Sequence, residues 1–361
     1  METTKQQARQ VLDGYGLDGT PISCERYGGG HINGTFLVQT DCGHRYVIQR
    51  INDAVFPDTK ALMANVEGVT GHIARKVDDP RRVLRLVRTK QGASWLRLAD
   101  GTPWRVLEFV EGSVCLQQPR SAQDFYCSGV AFGTFLQQLH DYPAHTLTPV
   151  IPNFHDTRDR YRQFHEALER NAAGRADTVA EEIAFALARE HEAGQVVDLL
   201  AEGKLPLRVT HNDTKLNNVM LDEATGMPLC VIDLDTVMPG SSLYDYGDSI
   251  RFGASTATED ETDLDRVEMD LAMYEAYTRG FVEGCPDLTE LERELLPVGA
   301  KLMTLECGVR FLTDYLNGDV YFSIHRPDHN LDRCRTQFKL VADMEAKWQQ
   351  MGDIARRLCA R

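Results

Sequence analysis

Three side chains in the stretch 205–235 could do chemistry together: Asp213, Asn218 and Asp233. Asn218 lies five positions after Asp213 (218 − 213), and Asp233 lies twenty after it (233 − 213). Phosphoryl transfer uses such a set. One carboxylate orients or deprotonates the attacking hydroxyl, while a second carboxylate and an amide oxygen hold magnesium ions. Taken singly, an Asp or Asn in a polar loop more often caps backbone groups. Their placement is what makes the set informative. Residues 207–210 are predicted as a short strand that delivers the turn His211-Asn212-Asp213, and Asn218 ends that loop. Residues 219–221 and 229–234 read as the arms of a hairpin, with Glu223-Ala224-Thr225-Gly226 as its turn. Asp233 is thereby placed on the returning strand.

The elements that must carry this stretch follow from the rest of the pattern. Residues 3–12 are weakly helical, and 22–27, 34–39 and 45–51 are predicted strands. Gly28-Gly29-Gly30-His31 joins the first two strands, and Cys42-Gly43 turns the second into the third. A glycine tip lets backbone N–H groups approach phosphates with no side chain in the way, although such a tip also serves as a plain turn. Residues 57–77 are predicted as a helix opened by Pro57, with Leu62, Val66, Val69 and Ile73 on one face. Glu67 lies beside that stripe. Residues 83–87, 95–98 and 104–110 add three strands, ending in Glu108-Phe109-Val110-Glu111-Gly112 as the connection between lobes. Helices are then expected over 122–140, 157–171, 178–200, 243–252, 259–282, 288–316 (kinked at Pro297) and 333–360. The expected class is α+β: a small β-rich lobe over 1–111 and a large, mainly helical lobe over 112–361.

Bulk properties narrow the partners. A chain of 361 residues is long for one core, which agrees with two lobes. The net charge of −15 argues against a nucleic acid or an anionic membrane as partner. The nine cysteines are scattered from Cys24 to Cys359 without a C-x-x-C pair, which fits free thiols in a reducing cytosol. METTKQQARQ lacks the apolar core of a signal peptide, and no run approaches a membrane span. A cytoplasmic protein is expected, with a monomer as the simplest state.

On YGGGHINGTFLV, RVTHNDTKLNN, IDLDTVMPGSSLYDYGDSIRFGAST and MTLECGVRFLTDYLNGDVYF, the chain resembles the aminoglycoside phosphotransferase and choline kinase superfamily. The match is closer still to the bacterial N-acetylhexosamine 1-kinases, and it runs over essentially the whole chain. The resemblance implies a protein-kinase-like two-lobe fold, with 1–111 as the nucleotide-binding lobe and 112–361 as the catalytic and sugar-binding lobe. It implies ATP and Mg²⁺ as cofactors and an N-acetylhexosamine (GlcNAc or GalNAc) phosphorylated on its anomeric hydroxyl. Asp213 becomes the catalytic carboxylate, and Asn218 and Asp233 the magnesium ligands. Gly28, Gly29, Gly30, Gln49, Glu108 and Val110 fall on the nucleotide side. His31, Phe252, Arg310 and Tyr321 fall around the sugar, and Asp245 and Asp248 brace the catalytic loop. Each has a plainer reading: Arg310 could pair with Glu306 four residues earlier, and Phe252 and Tyr321 could be core aromatics.

The third strand departs from the kinase pattern. It reads Tyr46-Val47-Ile48-Gln49-Arg50-Ile51, with Gln49 near the place of the phosphate-binding Lys and Arg50 on the opposite face. A Lys–Glu pair with Glu67 is therefore in doubt. Either Gln49 makes a neutral contact, or metal and backbone N–H groups meet the phosphate charge. The rival readings are a kinase of another small hydroxyl compound (another sugar, choline or an aminoglycoside) and a pseudokinase scaffold.

Overall fold

The computed structural model describes residues 2–28 and 33–360. Its N-terminal part is helix α1 (Glu2–Leu12) and five strands: β1 (Pro21–Arg26), β2 (Gly34–Thr40), β3 (Arg45–Arg50), β4 (Trp95–Arg97) and β5 (Pro103–Glu108). They form one antiparallel sheet in the order β1-β2-β3-β5-β4. Alternation along the strands places Cys24, Phe36, Val38, Ile48, Trp104 and Val106 on one face, where they bury Ala8, Val11 and Tyr15 of the N-terminal segment. Helix α2 (Thr59–Ala74) starts two residues later than Pro57, because the Asp58 side chain accepts from Ala61 N and fixes the cap there. Residues 83–87 do not form a strand. Val87 N donates to Val106 O and Glu108 N to Arg85 O, which covers the free part of the β5 edge with too few bonds to continue.

Beyond residue 111 the chain is mostly helical. Strand β6 (Ser113–Cys115), which has no clear signal in the sequence, joins β8 (Val219–Asp222) and β9 (Pro228–Val231) in a small sheet. Strand β7 (Arg208–Thr210) pairs with β10 (Met238–Gly240). The hairpin's returning arm stops at Val231, so Asp233 lies past the strand and not on it. The helices are α3 (Ala122–Gln138), α4 (Thr157–Arg170), α5 (Ala180–Arg189), α6 (Gln195–Ala201), α7 (Ser242–Gly253), α8 (Leu271–Gly284), α9 (Glu290–Glu294), α10 (Leu296–Asn317), α11 (His329–Ala346) and α12 (Trp348–Cys359).

Four expected helices are shorter or divided, for local reasons. The predicted 178–200 helix divides into α5 and α6 through a tighter turn at Glu190–Glu192, and Gly194, which caps α6, lies close under the Arg158 side chain. The 259–282 helix begins only at Leu271, because the Asp270 side chain caps Ala272 N and Met273 N. Pro297 falls in the first turn of α10, where its missing N–H costs nothing, so it starts a helix and kinks none. The 333–360 helix divides at Lys347 into α11 and α12.

Two glycine contacts set the helical platform. Gly129 and Gly133 of α3 press against Gly280 and Gly284 of α8; a Cβ on Gly280 would collide with Tyr126 O. Between α7 and α10, a Cβ on Gly247 would collide with Gly299 O. Overpacking of this kind typically costs ~1–3 kcal/mol, and backbone atoms cannot rotate aside. Gly280→Ala is therefore expected to lower the unfolding free energy by that amount, read as a lower urea midpoint at an unchanged m-value; an unshifted midpoint would show that the seam has slack. All nine cysteines are free thiols. No helix among the described residues is long and apolar enough to cross a membrane.

Candidate active site

The loop after β7 is held by α7. Arg208 of β7 is anchored first: its Nε and Nη2 donate to Glu292 at 2.6 Å each, and Ser242 Oγ donates to the same carboxylate at 2.7 Å. Asp245 then accepts from His211 N and Asn212 N, both at 2.8 Å, and Asp248 accepts from Thr214 N at 2.9 Å. The two carboxylates are one turn apart on α7, so they reach successive N–H groups of the loop. Burial raises the Asp245 carboxyl to about 6 against the pull of His211 and the two backbone N–H groups. Burial acts on Asp248 too, but Arg251 and Lys215 outweigh it and hold that carboxyl down at about 2. His211 donates from Nε2 to Ile232 O at 2.9 Å and accepts on Nδ1 from Asp213 N at 3.2 Å, so its ring carries the proton on Nε2.

This scaffold presents three oxygen-bearing side chains. Asp213 is half-buried, with Lys215 Nζ at 3.4 Å from Oδ1. Asn218 Nδ2 donates to Asp213 O at 2.8 Å and to Asp213 Oδ2 at 3.3 Å, which leaves Asn218 Oδ1 as a free acceptor. Asp233 has left-handed backbone angles, φ 60° and ψ 58°, and its carboxylate bonds to no described residue. A non-glycine residue held in that region is a feature of functional sites. Asp233 is exposed by surface area, yet the protein packed around it, then the charges of Asp235 and Asp213, raise its carboxyl above the ordinary carboxylate range. Among the described residues no group of three His, Cys, Asp or Glu side chains is arranged to hold a metal ion by itself. One carboxylate and one amide oxygen still fit magnesium, which takes few protein ligands when substrate phosphates supply the rest.

On the sheet side, Gln49 Nε2 donates to Thr35 Oγ1 at 3.2 Å, and Gln49 Oε1 accepts from Arg105 Nε at 2.9 Å. Arg105, 2% exposed, also makes an ion pair with buried Asp235. Asn33 Nδ2 donates to the other Asp235 oxygen at 2.5 Å. Glu67 does not face Gln49; it pairs with Arg88. Sequence reasoning misses Arg105 and Asp235. Their signal is an arginine within the otherwise apolar strand Pro103–Glu108, and a second Asp two positions after Asp233. In the connection to the helical part, Glu108 pairs with Arg85 at 3.3 Å. The Val110 carbonyl accepts from Ser113 Oγ at 2.6 Å, and the Val110 N–H bonds to no described residue. Gly28 has φ +71°, with open space where a Cβ would be. Gly29, Gly30 and His31 lie outside the described residues.

The expected acceptor residues divide into two groups. Arg310 of α10 lies over the rings of Phe154 (5.2 Å), Phe322 (5.5 Å) and Tyr321 (6.0 Å). It makes no ion pair with Glu306, whose oxygens are taken by His155 Nδ1 at 2.8 Å and Thr157 Oγ1 at 2.6 Å. Tyr321 is 66% exposed and is no core residue. Phe252 instead lines a cavity of about 320 Å³ between residues 118–121, 251–259, Asp270, Met273 and Gln337. Arg251 links that cavity to the loop, since it bonds Glu259 at 2.6 Å and Asp248 at 2.7 Å.

A sequence model of the phosphotransferase enzyme family matches residues 23–280. The fold is similar to that of a microcompartment-associated aminopropanol kinase, with 16% identity over 96% of this chain and 98% of that one and a TM-score of 0.63. It is also similar to a spectinomycin phosphotransferase solved with ADP and spectinomycin (12% identity, 96% and 98% covered, TM-score 0.60). A choline kinase from Cryptosporidium parvum Iowa II gives 13% identity, 97% of each chain covered and a TM-score of 0.59. The antiparallel sheet lobe and mainly helical lobe are thus the two-lobe α+β fold of these enzymes.

Proposed function

Because the chain belongs to the phosphotransferase enzyme family, we propose that it transfers the γ-phosphoryl group of ATP to the anomeric hydroxyl of an N-acetylhexosamine, GlcNAc or GalNAc. Residues 1–111 form the nucleotide-binding lobe and 112–361 the catalytic, sugar-binding lobe. The free Val110 N–H at the lobe connection and the open Gly28 turn suit adenine and phosphate respectively. Asp213 receives or orients the acceptor hydroxyl, and Lys215 beside it offers a cation to the transferring group. Asn218 and Asp233 would hold magnesium, which supplies charge neutralisation across the phosphate oxygens. An anomeric hydroxyl is more acidic than an ordinary alcohol, so positioning and charge stabilisation supply most of the rate.

One observation carries the choice of acceptor: Arg310 has no hydrogen-bond or ion-pair partner among the described residues and is ringed by three aromatic side chains. A free guanidinium repels a cationic amino alcohol or aminoglycoside. It donates well to hydroxyl and acetamide oxygens, and aromatic faces suit the apolar face of a sugar ring. A kinase panel of GlcNAc, GalNAc, choline, ethanolamine and an aminoglycoside, read by phosphorus NMR, tests this. A sugar 1-phosphate supports it; turnover of cationic acceptors alone refutes it, and no turnover of any acceptor returns the scaffold reading.

Within that reading, Arg310→Met is expected to raise the acceptor KM about tenfold or more, the size of one hydrogen bond to a charged donor, with the ATP KM unchanged. Phe252→Ala shows whether the acceptor also reaches the 320 Å³ cavity. If Arg310→Met leaves the acceptor KM unaltered, Arg310 lies outside the acceptor wall.

A further inference from the structure

We infer that Gln49 and Arg105 together stand in for the absent lysine of β3, with Gln49 as the group that meets the nucleotide phosphates and Arg105 as the residue that positions it. The inference rests on the nucleotide reading above. Gln49 and Arg105 are direct cross-strand partners of β3 and β5, so their side chains leave the sheet on the same face. Their neighbours Ile48, Trp104 and Val106 leave on the opposite, apolar face. Arg105 Nε occupies Gln49 Oε1 at 2.9 Å. Oε1 is thereby the acceptor end of the carboxamide, and the NH₂ end is turned to Thr35 Oγ1. A guanidinium on the oxygen polarises the amide and strengthens its N–H donors. Gln49 thus offers an oriented donor where a lysine would offer a point charge.

The second half of the device is Asp235. Arg105 and Asp235 are both almost fully buried, and a buried charge is tolerated when paired. Asn33 fills the other oxygen of Asp235 and accepts on its own Oδ1 from Asn52 N at 3.0 Å. The turn Leu234–Thr236 is therefore fixed to the sheet at its middle residue, two positions after Asp233. Arg105 also neutralises one of two neighbouring carboxylates, which leaves Asp233 as the one available for metal. The arrangement explains why position 49 is not lysine. An ammonium group in place of the Gln49 carboxamide would lie against the Arg105 guanidinium with only Asp235 to balance both. Gln is the complement that Arg105 requires.

The expected effect of a lysine at position 49 is opposite in sign to its usual role in a kinase. Gln49→Lys, which installs the residue a kinase would have, is expected to weaken ADP binding about tenfold or more while adenosine binding stays unchanged. Removing Arg105 and its counter-charge together, as Arg105→Met with Asp235→Asn, is expected to weaken ADP binding by a similar factor. In that double background Gln49→Lys is expected to restore ADP binding at least tenfold. Calorimetric titration of ADP and adenosine into the wild type and the three variants reads all of this. The inference is overturned if Gln49→Lys alone binds ADP as tightly as the wild type, or if the triple variant binds no better than the double. Should the double variant not fold, the single Gln49→Lys result still decides. A wild type that binds ADP no tighter than adenosine overturns the nucleotide reading and this inference together, whereas the wrong sign overturns this inference alone.

Discussion

Asp213→Asn is expected to cut kcat at least a hundredfold while ATP and the acceptor still bind. The substitution keeps the size of the side chain and an oxygen for Asn218 Nδ2 to donate to. The backbone bonds that shape the loop do not involve the carboxylate: Asp213 N still donates to His211 Nδ1, and Asp213 O still accepts from Asn218. What is lost is the charge that takes or orients the hydroxyl proton, together with the Lys215 ion pair. A positioned base commonly contributes about 10²–10⁴-fold, or roughly 3–5 kcal/mol of transition-state stabilisation. Single-turnover kinetics with calorimetric binding of both substrates separates the two effects. Retention of more than about a tenth of the wild-type kcat would remove Asp213 from the chemical step, and the proposed mechanism with it.

Asp233→Asn is the second variant with a large expected effect. Activity should fall close to background, and added Mg²⁺ should recover little of it. Chelation of the wild type should give the same loss, reversed by Mg²⁺. The fold should survive, because Asn tolerates the left-handed angles found at this position as readily as Asp. Its stability should be equal or higher. The protein packed around it, then the like charges of Asp235 and Asp213, raise this exposed carboxyl, and it bonds to no described residue, so neutralising it removes no stabilising contact. Thermal unfolding in chelator reads that sign directly. Normal Mg²⁺-dependent turnover in the variant would place the metal elsewhere. A large drop in unfolding temperature would make Asp233 a structural residue.

Much of this site is legible in the sequence because its parts are close along the chain. The Asp213–Asn218 spacing lies in one loop, and the hairpin from Val219 to Val231 follows from two short apolar runs around a glycine turn. Local pattern fails where distant segments decide. Arg105 meets Asp235 from 130 positions away, and although an arginine in an apolar strand signals a buried partner, nothing local says which residue that partner is. An Arg310–Glu306 pair is plausible on helical spacing alone, yet His155 and Thr157 reach Glu306 from another helix and its approach. Helix ends go wrong where one side chain competes with the periodicity, as Asp270 does by capping α8. The end of strand β9 before Asp233 escapes the sequence because a left-handed residue has no periodic signature.

The contact between Gly247 and Gly299 bears on inheritance as much as on packing. Gly247 sits between Asp245 and Asp248, and its backbone-to-backbone approach brings α7 close against α10 on one face. Each residue of a helix advances about 100° around its axis, so even a small turn of α7 swings both carboxylates away from the N–H groups of His211, Asn212 and Thr214. The aim of the loop 211–214 is thus set in part by a contact between two backbones. A side chain at position 247 would act as a detuning screw. If Arg310 and Phe252 line the acceptor as proposed, variants that change acceptor can alter those walls, but they inherit the absence of a methyl group at 247 along with the loop it aims.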